Sequence, residues 1–151
     1  MIWISAVTGF SVPEIPHIKS ATFAEMKHIN YDCDNVVPAT EKVCADTSVG
    51  NKTLAIYIKS SETIYLNNDF WWASTKDQSI LLHELVHHMQ FTNNYQKTTE
   101  FCGRPDLEAQ AYSIQSEWLK TYGMSLEKDI GVGPLYLYMI TTCNPPRFYR
   151  D

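Results

Sequence analysis

The residues best suited to chemistry in this chain are two histidines, His83 and His87, with Glu84 beside the first of them. On a helix, side chains four positions apart lie on one face and one turn apart, so two imidazoles at this spacing can bind a single zinc ion. Glu84 is rotated by about 100° from His83, which places it near a water on the metal rather than the metal itself. The motif therefore predicts a catalytic zinc site with Glu84 as the general base.

The surrounding residues predict the helix that this motif requires. Apolar residues between positions 81 and 89 follow a 3.6-residue period, Ser74 or Thr75 can cap the start, and Asn93 marks the end. We therefore expect a helix at about residues 76 to 92. The competing interpretation is an amphipathic core helix whose histidines are only hydrogen-bonded. It is disfavoured because roughly 0.01 matches to the pattern are expected by chance in such a chain.

A third protein ligand is needed, because a catalytic zinc site has three and leaves one position for water. Pro105 and the residues on either side of it predict the start of a second long helix, which runs to about Tyr122. Glu108 is the preferred ligand, since the small Ala111 on its face lets the two helices approach closely. The alternative for Glu108 is an ordinary surface glutamate. The other acidic residues fit worse. Glu100 falls in an irregular segment, Asp106 is better explained as a helix-start residue, and Glu117 is expected to form an ion pair in solvent.

With Glu108, the motif resembles the gluzincin metallopeptidases, in which His-Glu-x-x-His on one helix is joined by a glutamate from a downstream helix. The metzincin pattern does not fit, since Gln90 and Asn93 stand where it needs glycine and histidine. The chain also resembles a family of small bacterial domains with no assigned function. That second likeness is carried by five short segments: Trp3-Ile4, Thr8-Gly9, Ile64-Tyr65-Leu66, the motif helix, and Ala111-Tyr112-Ser113-Ile114-Gln115.

The resemblance implies a compact α+β domain of the zincin type. In it, a small antiparallel sheet or hairpin packs on the motif helix and on the downstream ligand helix. It also implies that an edge strand within Thr53 to Leu66 lies over the cleft and could pair with an extended peptide. Many gluzincins have an acidic residue four positions after the ligand glutamate, where this chain has Tyr112. Its phenol could orient His83 or His87, or face the substrate.

These residues lead to the hypothesis of zinc-dependent peptide hydrolysis. Zinc bound by His83, His87 and Glu108 would activate a water, and Glu84 would take its proton and pass it to the leaving amine. Tyr112 is assigned a catalytic role, and the other candidates for stabilising the oxyanion are His88, Tyr95, Tyr136 and Tyr138.

Two other functions remain open. One is a zinc-bound peptide-binding or inhibitory module without turnover, and the other is a hydrolase of a non-peptide amide. The presence of Glu84 argues against the first, because a structural zinc site has no need of that carboxylate.

Composition limits the remaining possibilities. The 151 residues, with a net charge of −5, correspond to one domain spanning residues 1–151. The acidic balance and the lack of a basic cluster disfavour nucleic acid as a partner. No apolar stretch has the length of a membrane span, and the first residues lack the basic segment and apolar run expected of a signal peptide. We expect a monomer that acts on a peptide or protein substrate.

The four cysteines suggest a cellular compartment. Their even number and the absence of a Cys-x-x-Cys pair favour disulfides, Cys33 with Cys44 and Cys102 with Cys143. Such bridges predict a periplasmic or secreted protein, and the alternative is a cytoplasmic protein with four free thiols.

The other segments give simple expectations. We expect two short helices before residue 30, a surface loop from 30 to 51, a hairpin and a final helix. Their expected ranges are helices at 2–10 and 23–29, an extended segment at 14–19, hairpin strands at 54–58 and 63–66, and the final helix at 135–142.

Overall fold

The structure, a computed structural model, describes the backbone of residues 1–35, 44–49, 52–95 and 102–143, and the side chains of residues 1–29, 53–95 and 102–143. Within these ranges the chain has a mixed α and β fold. In chain order, the elements are α1 (Ile2–Thr8), β1 (His17–Ala21), α2 (Phe23–Asn35), β2 (Cys44–Val49), β3 (Lys52–Ile58), β4 (Thr63–Asn67), α3 (Thr75–Thr92), α4 (Arg104–Lys120) and α5 (Pro134–Thr141). A short π-helical turn, Leu126–Ile130, lies between α4 and α5.

The four strands form one mixed sheet in the order β1-β4-β3-β2. The predicted hairpin is confirmed, with β3 antiparallel to β4 and Tyr57 opposite Ile64. Its turn closes through Glu62, which has a left-handed backbone at φ 46°. The strand β2 is antiparallel to β3, whereas β1 is parallel to β4.

The prediction of an edge strand within Thr53 to Leu66 is wrong. Each hairpin strand has a second neighbour, because β2 pairs with β3 and β1 pairs with β4. Backbone groups that are paired on both sides are not available to another chain. Among the strands described, a peptide could therefore extend this sheet only beside β1 or β2.

The predicted surface loop from 30 to 51 is also wrong in its described parts. Helix α2 continues to Asn35, and Cys44–Val49 forms β2. The weak periodicity of this segment hid the strand, whose backbone hydrogen bonds are supplied by β3. The expected extended segment at 14–19 begins three residues and ends two residues before the actual strand, His17–Ala21.

Helix α3 forms where the sequence predicts it. Ser74 is the N-cap, and its hydroxyl accepts a hydrogen bond from the backbone N–H of Asp77 at 3.2 Å. The carboxylate of Asp77 in turn accepts from the N–H of Trp71 at 2.8 Å. These bonds fix the point at which the chain leaves the sheet and enters the helix.

Helix α3 is covered on two sides. Ile80 and Phe91 belong to the core cluster shared with β3 and β4. Val86 and Met89 pack on a second side, in a cluster that includes Ala111 of α4. Ala111 is fully buried, as expected for the small residue that lets α4 approach. The motif face of α3 is thus shielded from water between the sheet and α4.

A disulfide joins Cys102, just before α4, to Cys143, just after α5. It confirms one predicted bridge and ties the start of α4 to the end of α5. The other predicted bridge, Cys33 with Cys44, falls on side chains outside the described residues. Among the helices described, none is long and apolar enough to cross a membrane.

The bridge generates a first prediction. The double variant Cys102→Ser/Cys143→Ser should lose about 2–4 kcal/mol of unfolding free energy, because the bridge joins residues 41 apart and restricts the unfolded chain. Urea denaturation of the oxidised wild type and the variant measures the loss. The exposed turn variant Ser60→Ala is the control and should stay within about 0.5 kcal/mol of the wild type. Equal stability of the double variant and the oxidised wild type would contradict the prediction.

Candidate metal centre

Helices α3 and α4 bring three possible metal ligands to one point. His83 Nε2 lies 3.0 Å from His87 Nε2. Glu108 Oε2 lies 3.3 Å from the first of these atoms and 3.7 Å from the second. Both histidines are 0% exposed and Glu108 is 5% exposed. The structure therefore places the three predicted ligands together, away from bulk water.

The imidazole of His83 is held by a hydrogen bond to Gln115. His83 Nδ1 lies 3.1 Å from Gln115 Oε1, and Gln115 Nε2 donates to Ser79 Oγ at 3.1 Å. The hydroxyl of Ser79 donates to the carbonyl of Lys76 at 2.7 Å, so it must accept from the amide. This chain of bonds turns the amide oxygen towards His83. Nδ1 therefore carries the proton, and Nε2 presents a lone pair.

A second glutamine fixes His87 in the same way. His87 Nδ1 lies 2.8 Å from Gln90 Oε1. Gln90 Nε2 donates to the backbone carbonyl of Leu107 and to Gln110 Oε1, each at 2.9 Å. Two acceptors on the amide nitrogen leave the amide oxygen for His87. The Nε2 atom of His87 therefore also presents a lone pair.

Three electron-pair donors thus face one another in a buried space, which is unfavourable unless a cation lies between them. Ligand atoms bound to zinc at 2.0–2.2 Å and at tetrahedral angles lie about 3.3–3.6 Å apart, close to the separations seen here. Two imidazoles and one carboxylate are also a ligand set of catalytic zinc sites. The geometry and chemistry of His83, His87 and Glu108 therefore fit zinc.

The electrostatics of the metal-free cluster agree with a site built for positive charge. Burial lowers the pKa of His83. Burial also acts to lower the pKa of His87, but the charge and hydrogen bond of Glu108, together with Glu84 and Gln90, outweigh it and the pKa is raised. Despite its own burial, the pKa of Glu108 is held well below the usual range by His87 and His83. Glu108 is therefore ionised, and its charge favours a cation beside the two histidines.

Glu84 lies beside this cluster on α3 and is 0% exposed. Its Oε2 accepts a hydrogen bond from the backbone N–H of Tyr57 on β3 at 3.0 Å. Its charge contributes to raising the pKa of both His87 and Tyr112, so the carboxylate lies near these two side chains. The motif thus places Glu84 between the sheet and the candidate metal site.

Tyr112 lies against the first histidine, with its ring centroid 4.4 Å from that of His83. Burial and neighbouring charges, that of Glu108 foremost, raise the pKa of its phenol, so it stays protonated. It also shares a side-chain hydrogen bond with Tyr136 of α5. The Nδ1 atoms of both histidines are held by glutamines rather than by this phenol. A catalytic role for Tyr112 stays a prediction.

The remaining oxyanion candidates lie in different surroundings. His88 is buried and contacts Tyr57 Oη at 3.2 Å through Nδ1 and the carbonyl of Glu14 at 2.9 Å through Nε2. It therefore holds the N-terminal segment to α3 and has no nitrogen left for a substrate. Tyr95 packs against Phe10. Tyr136 lies near Tyr112, whereas Tyr138 is a half-exposed residue of α5.

The rejected ligand candidates also do not reach the cluster where they are described. Asp106 accepts a hydrogen bond from the backbone N–H of Cys102, as expected of a residue at a helix start. Glu117 is exposed on α4, and Glu100 lies outside the described residues. The two glutamines that orient the histidines were missed as functional residues. Their positions, three residues after His87 and seven after Glu108, were the available signal.

Comparison with known families provides one match. The model described as a domain of unknown function (DUF6647) matches residues 12–151, which include α3, α4 and all the candidate ligands. The chain belongs to the DUF6647 family. No curated protein and no solved structure matches it. The resemblance of this DUF6647 chain to gluzincins therefore stays a prediction supported by its own residues.

The hydrogen bonds to the histidines generate a second prediction. Gln115→Leu should weaken zinc binding about 10- to 100-fold, because His83 loses the acceptor that fixes its tautomer. Competition with a chromophoric chelator measures the dissociation constant. Gln115→Glu, which keeps an acceptor, should retain most of the affinity.

The control for that prediction is Gln78→Leu on α3, which removes an amide that bonds only to the carbonyl of Trp72 among the contacts described. It should bind zinc as the wild type does. Equal zinc affinity in Gln115→Leu and the wild type would show that the amide does not support a metal ligand.

Proposed function

We propose that this domain is a zinc-dependent hydrolase of peptide bonds. The observation that carries the proposal is the convergence of three buried electron pairs, from His83, His87 and Glu108, with the carboxylate of Glu84 beside them. The two lone pairs of the histidines are directed to this point by protonated Nδ1 atoms. A buried arrangement of this kind needs a cation, and the donor set is suited to zinc.

Zinc, when bound by these side chains, supplies a Lewis acid that lowers the pKa of a coordinated water towards 7. The residues of the chain then have separate roles. Glu84 accepts the proton of the attacking water and later delivers it to the leaving amine. Tyr112 keeps its proton and is suited to donate a hydrogen bond to the developing oxyanion. Gln90 and Gln115 keep the histidines oriented throughout.

A second candidate function is a zinc-holding module that binds peptides without turnover. It is favoured by the hydrogen bond between Glu84 and the backbone of Tyr57. That bond gives the glutamate a structural use, because it links α3 to the sheet. The presence of Glu84 alone therefore does not separate a peptidase from a binding module.

The partner and compartment are part of the same proposal. We infer a peptide or protein substrate, a monomer, and a periplasmic or secreted location. The disulfide between Cys102 and Cys143 supports an oxidising compartment.

Metal content generates a third prediction. The purified protein should contain one zinc per chain, measured by elemental mass spectrometry, and His87→Ala and Glu108→Ala should lose it. Removing zinc should also lower the Tm, since a ligand present at 100 times its Kd stabilises a folded protein by about 2.7 kcal/mol. The exposed Glu117→Ala variant on α4 is the control. Zinc content that is insensitive to Glu108 would remove the support for this ligand set.

Replacing the proposed base generates a fourth prediction. Glu84→Gln should keep zinc and the fold, because the amide oxygen can still accept from the Tyr57 N–H, but kcat should fall by about 10²- to 10⁴-fold. Hydrolysis of a fluorescent peptide library gives the rate. Circular dichroism and zinc content check that the variant and the wild type have the same fold and the same amount of bound zinc. Glu117→Gln serves as the control for the same chemical change at an exposed site.

The outcomes separate the candidate functions. Wild-type turnover that persists in zinc-loaded Glu84→Gln would contradict a general-base role. Zinc binding without any hydrolysis by the wild type would favour the binding module. Turnover confined to non-peptide amides would support the third function considered from the sequence.

A further inference from the structure

A cavity of about 270 Å³ adjoins the candidate metal centre. Its lining residues come from the start of α4 and from α5: Arg104, Pro105, Glu108, Tyr136 and Ile140. Glu108 belongs to both sites, because its Oε2 faces the two histidines and its Oε1 faces Arg104. A group bound in the cavity would therefore lie next to the proposed reaction centre.

Arg104 is the cationic residue of this cavity. Its Nε lies 3.4 Å from Glu108 Oε1, and its side chain is 50% exposed. The contact with Glu108 uses Nε, and the four Nη N–H donors have no hydrogen-bond partner within the described residues. A guanidinium with free Nη groups is suited to bind a carboxylate through two parallel hydrogen bonds.

The charge balance favours an anionic ligand at this place. A zinc ion with two neutral histidines and the carboxylates of Glu108 and Glu84 has no net charge, and Arg104 adds one positive charge. The chain as a whole is acidic, with a net charge of −5. The positive character is therefore local to the cavity, where a negatively charged group would be attracted.

The remaining walls are largely apolar. Pro105 and Ile140 present hydrocarbon, and Tyr136 adds an aromatic ring. The volume is below the about 300–1,000 Å³ of typical small-molecule pockets. It is suited to one amino-acid side chain rather than a length of peptide. The disulfide from Cys102 to Cys143 connects the ends of the two helices that form these walls.

We propose that Arg104 binds the C-terminal carboxylate of a peptide whose last side chain, an apolar one, occupies this cavity. The inference rests on the proposed peptidase function and makes the domain a carboxypeptidase. One water is consumed as the last peptide C–N bond breaks. The oxygen of that water adds to the carbonyl carbon, and its proton passes through Glu84 to the amine of the released amino acid. The products are one free amino acid and a peptide shortened by one residue.

Pairs of substrates that differ at one group test this role. We compare the zinc-loaded protein on peptides ending in leucine with either a free carboxylate or an amide. The wild type should prefer the free acid, and Arg104→Gln should reduce kcat/KM for the acid about 10- to 150-fold, as expected for loss of a charged hydrogen bond. The amide substrate should be little affected. Lys120→Gln, which removes an exposed cation at the other end of α4, is the matched control.

The same comparison shows whether Arg104 binds the substrate carboxylate or only positions Glu108. If Arg104 only holds Glu108 in place, Arg104→Gln would lower zinc affinity and reduce both substrates equally, which would overturn the proposal. Arg104→Lys keeps the charge but not the paired donors, so it should fall between the wild type and Arg104→Gln. An amidated peptide ending in glutamate that is cleaved better than one ending in leucine would assign Arg104 to an acidic side chain instead. That result would overturn the role with the terminal carboxylate.

A binding measurement keeps the inference independent of turnover. The zinc-loaded Glu84→Gln variant is titrated by calorimetry with N-acetyl-leucine and with N-acetyl-leucinamide. Tighter binding of the acid, lost in Glu84→Gln/Arg104→Gln, would support the carboxylate site even if the wild type hydrolysed no peptide. Equal binding of acid and amide would overturn the site, and it would leave the peptidase proposal standing if the wild type cleaved internal bonds.

Discussion

Each histidine of the candidate metal centre is held through Nδ1 by a glutamine amide, and these two hydrogen bonds determine where the remaining lone pairs point. Gln115 is oriented by Ser79, and Gln90 by the carbonyl of Leu107. The orientation of each glutamine amide is therefore fixed by backbone groups of α3 and α4, which cannot rotate freely. Because the lone pairs meet the carboxylate of Glu108 in a buried space, the cluster needs a positive charge.

This need explains the burial of α3 on two sides. A helix that carried its histidines on a solvated face could satisfy them with water and would not need a cation. Here the sheet covers one side through Ile80 and Phe91, while the small Ala111 brings α4 close on another. The close approach of α4 delivers Glu108 to the histidines. Packing and site chemistry are therefore parts of the same arrangement.

The sequence predicted the local features of this arrangement well. The period of α3, its cap at Ser74 and the four-residue spacing of the histidines are set by residues close in the chain. Glu108 required an argument about a second helix, and the structure places it at the predicted point. Gln90 and Gln115 were not recognised, because the value of an amide depends on which atom meets which partner, and that is set by tertiary contacts.

The errors in the predicted fold have a similar cause. Cys44–Val49 lacks the alternation of a strand and acquires its strand structure by pairing with β3. The parallel pairing of β1 with β4 joins segments separated by α2, β2 and β3, so no local pattern indicates it. These two strands turn an expected two-stranded hairpin into the interior of a four-stranded sheet. The expected peptide-binding edge disappeared for that reason.

Glu84 shows how far the motif alone can support a function. The sequence predicts a use for its carboxylate only in catalysis, because a structural zinc site does not need it. In the folded chain it also accepts a hydrogen bond from the backbone N–H of Tyr57 on β3. Without Glu84, this buried N–H would lose that acceptor, which is unfavourable. The same residue would therefore be retained in a peptidase and in a domain that only binds zinc. The peptidase and the binding domain differ only in whether residue 84 must take a proton from water. A glutamine at this position can accept the Tyr57 hydrogen bond, but it cannot take that proton.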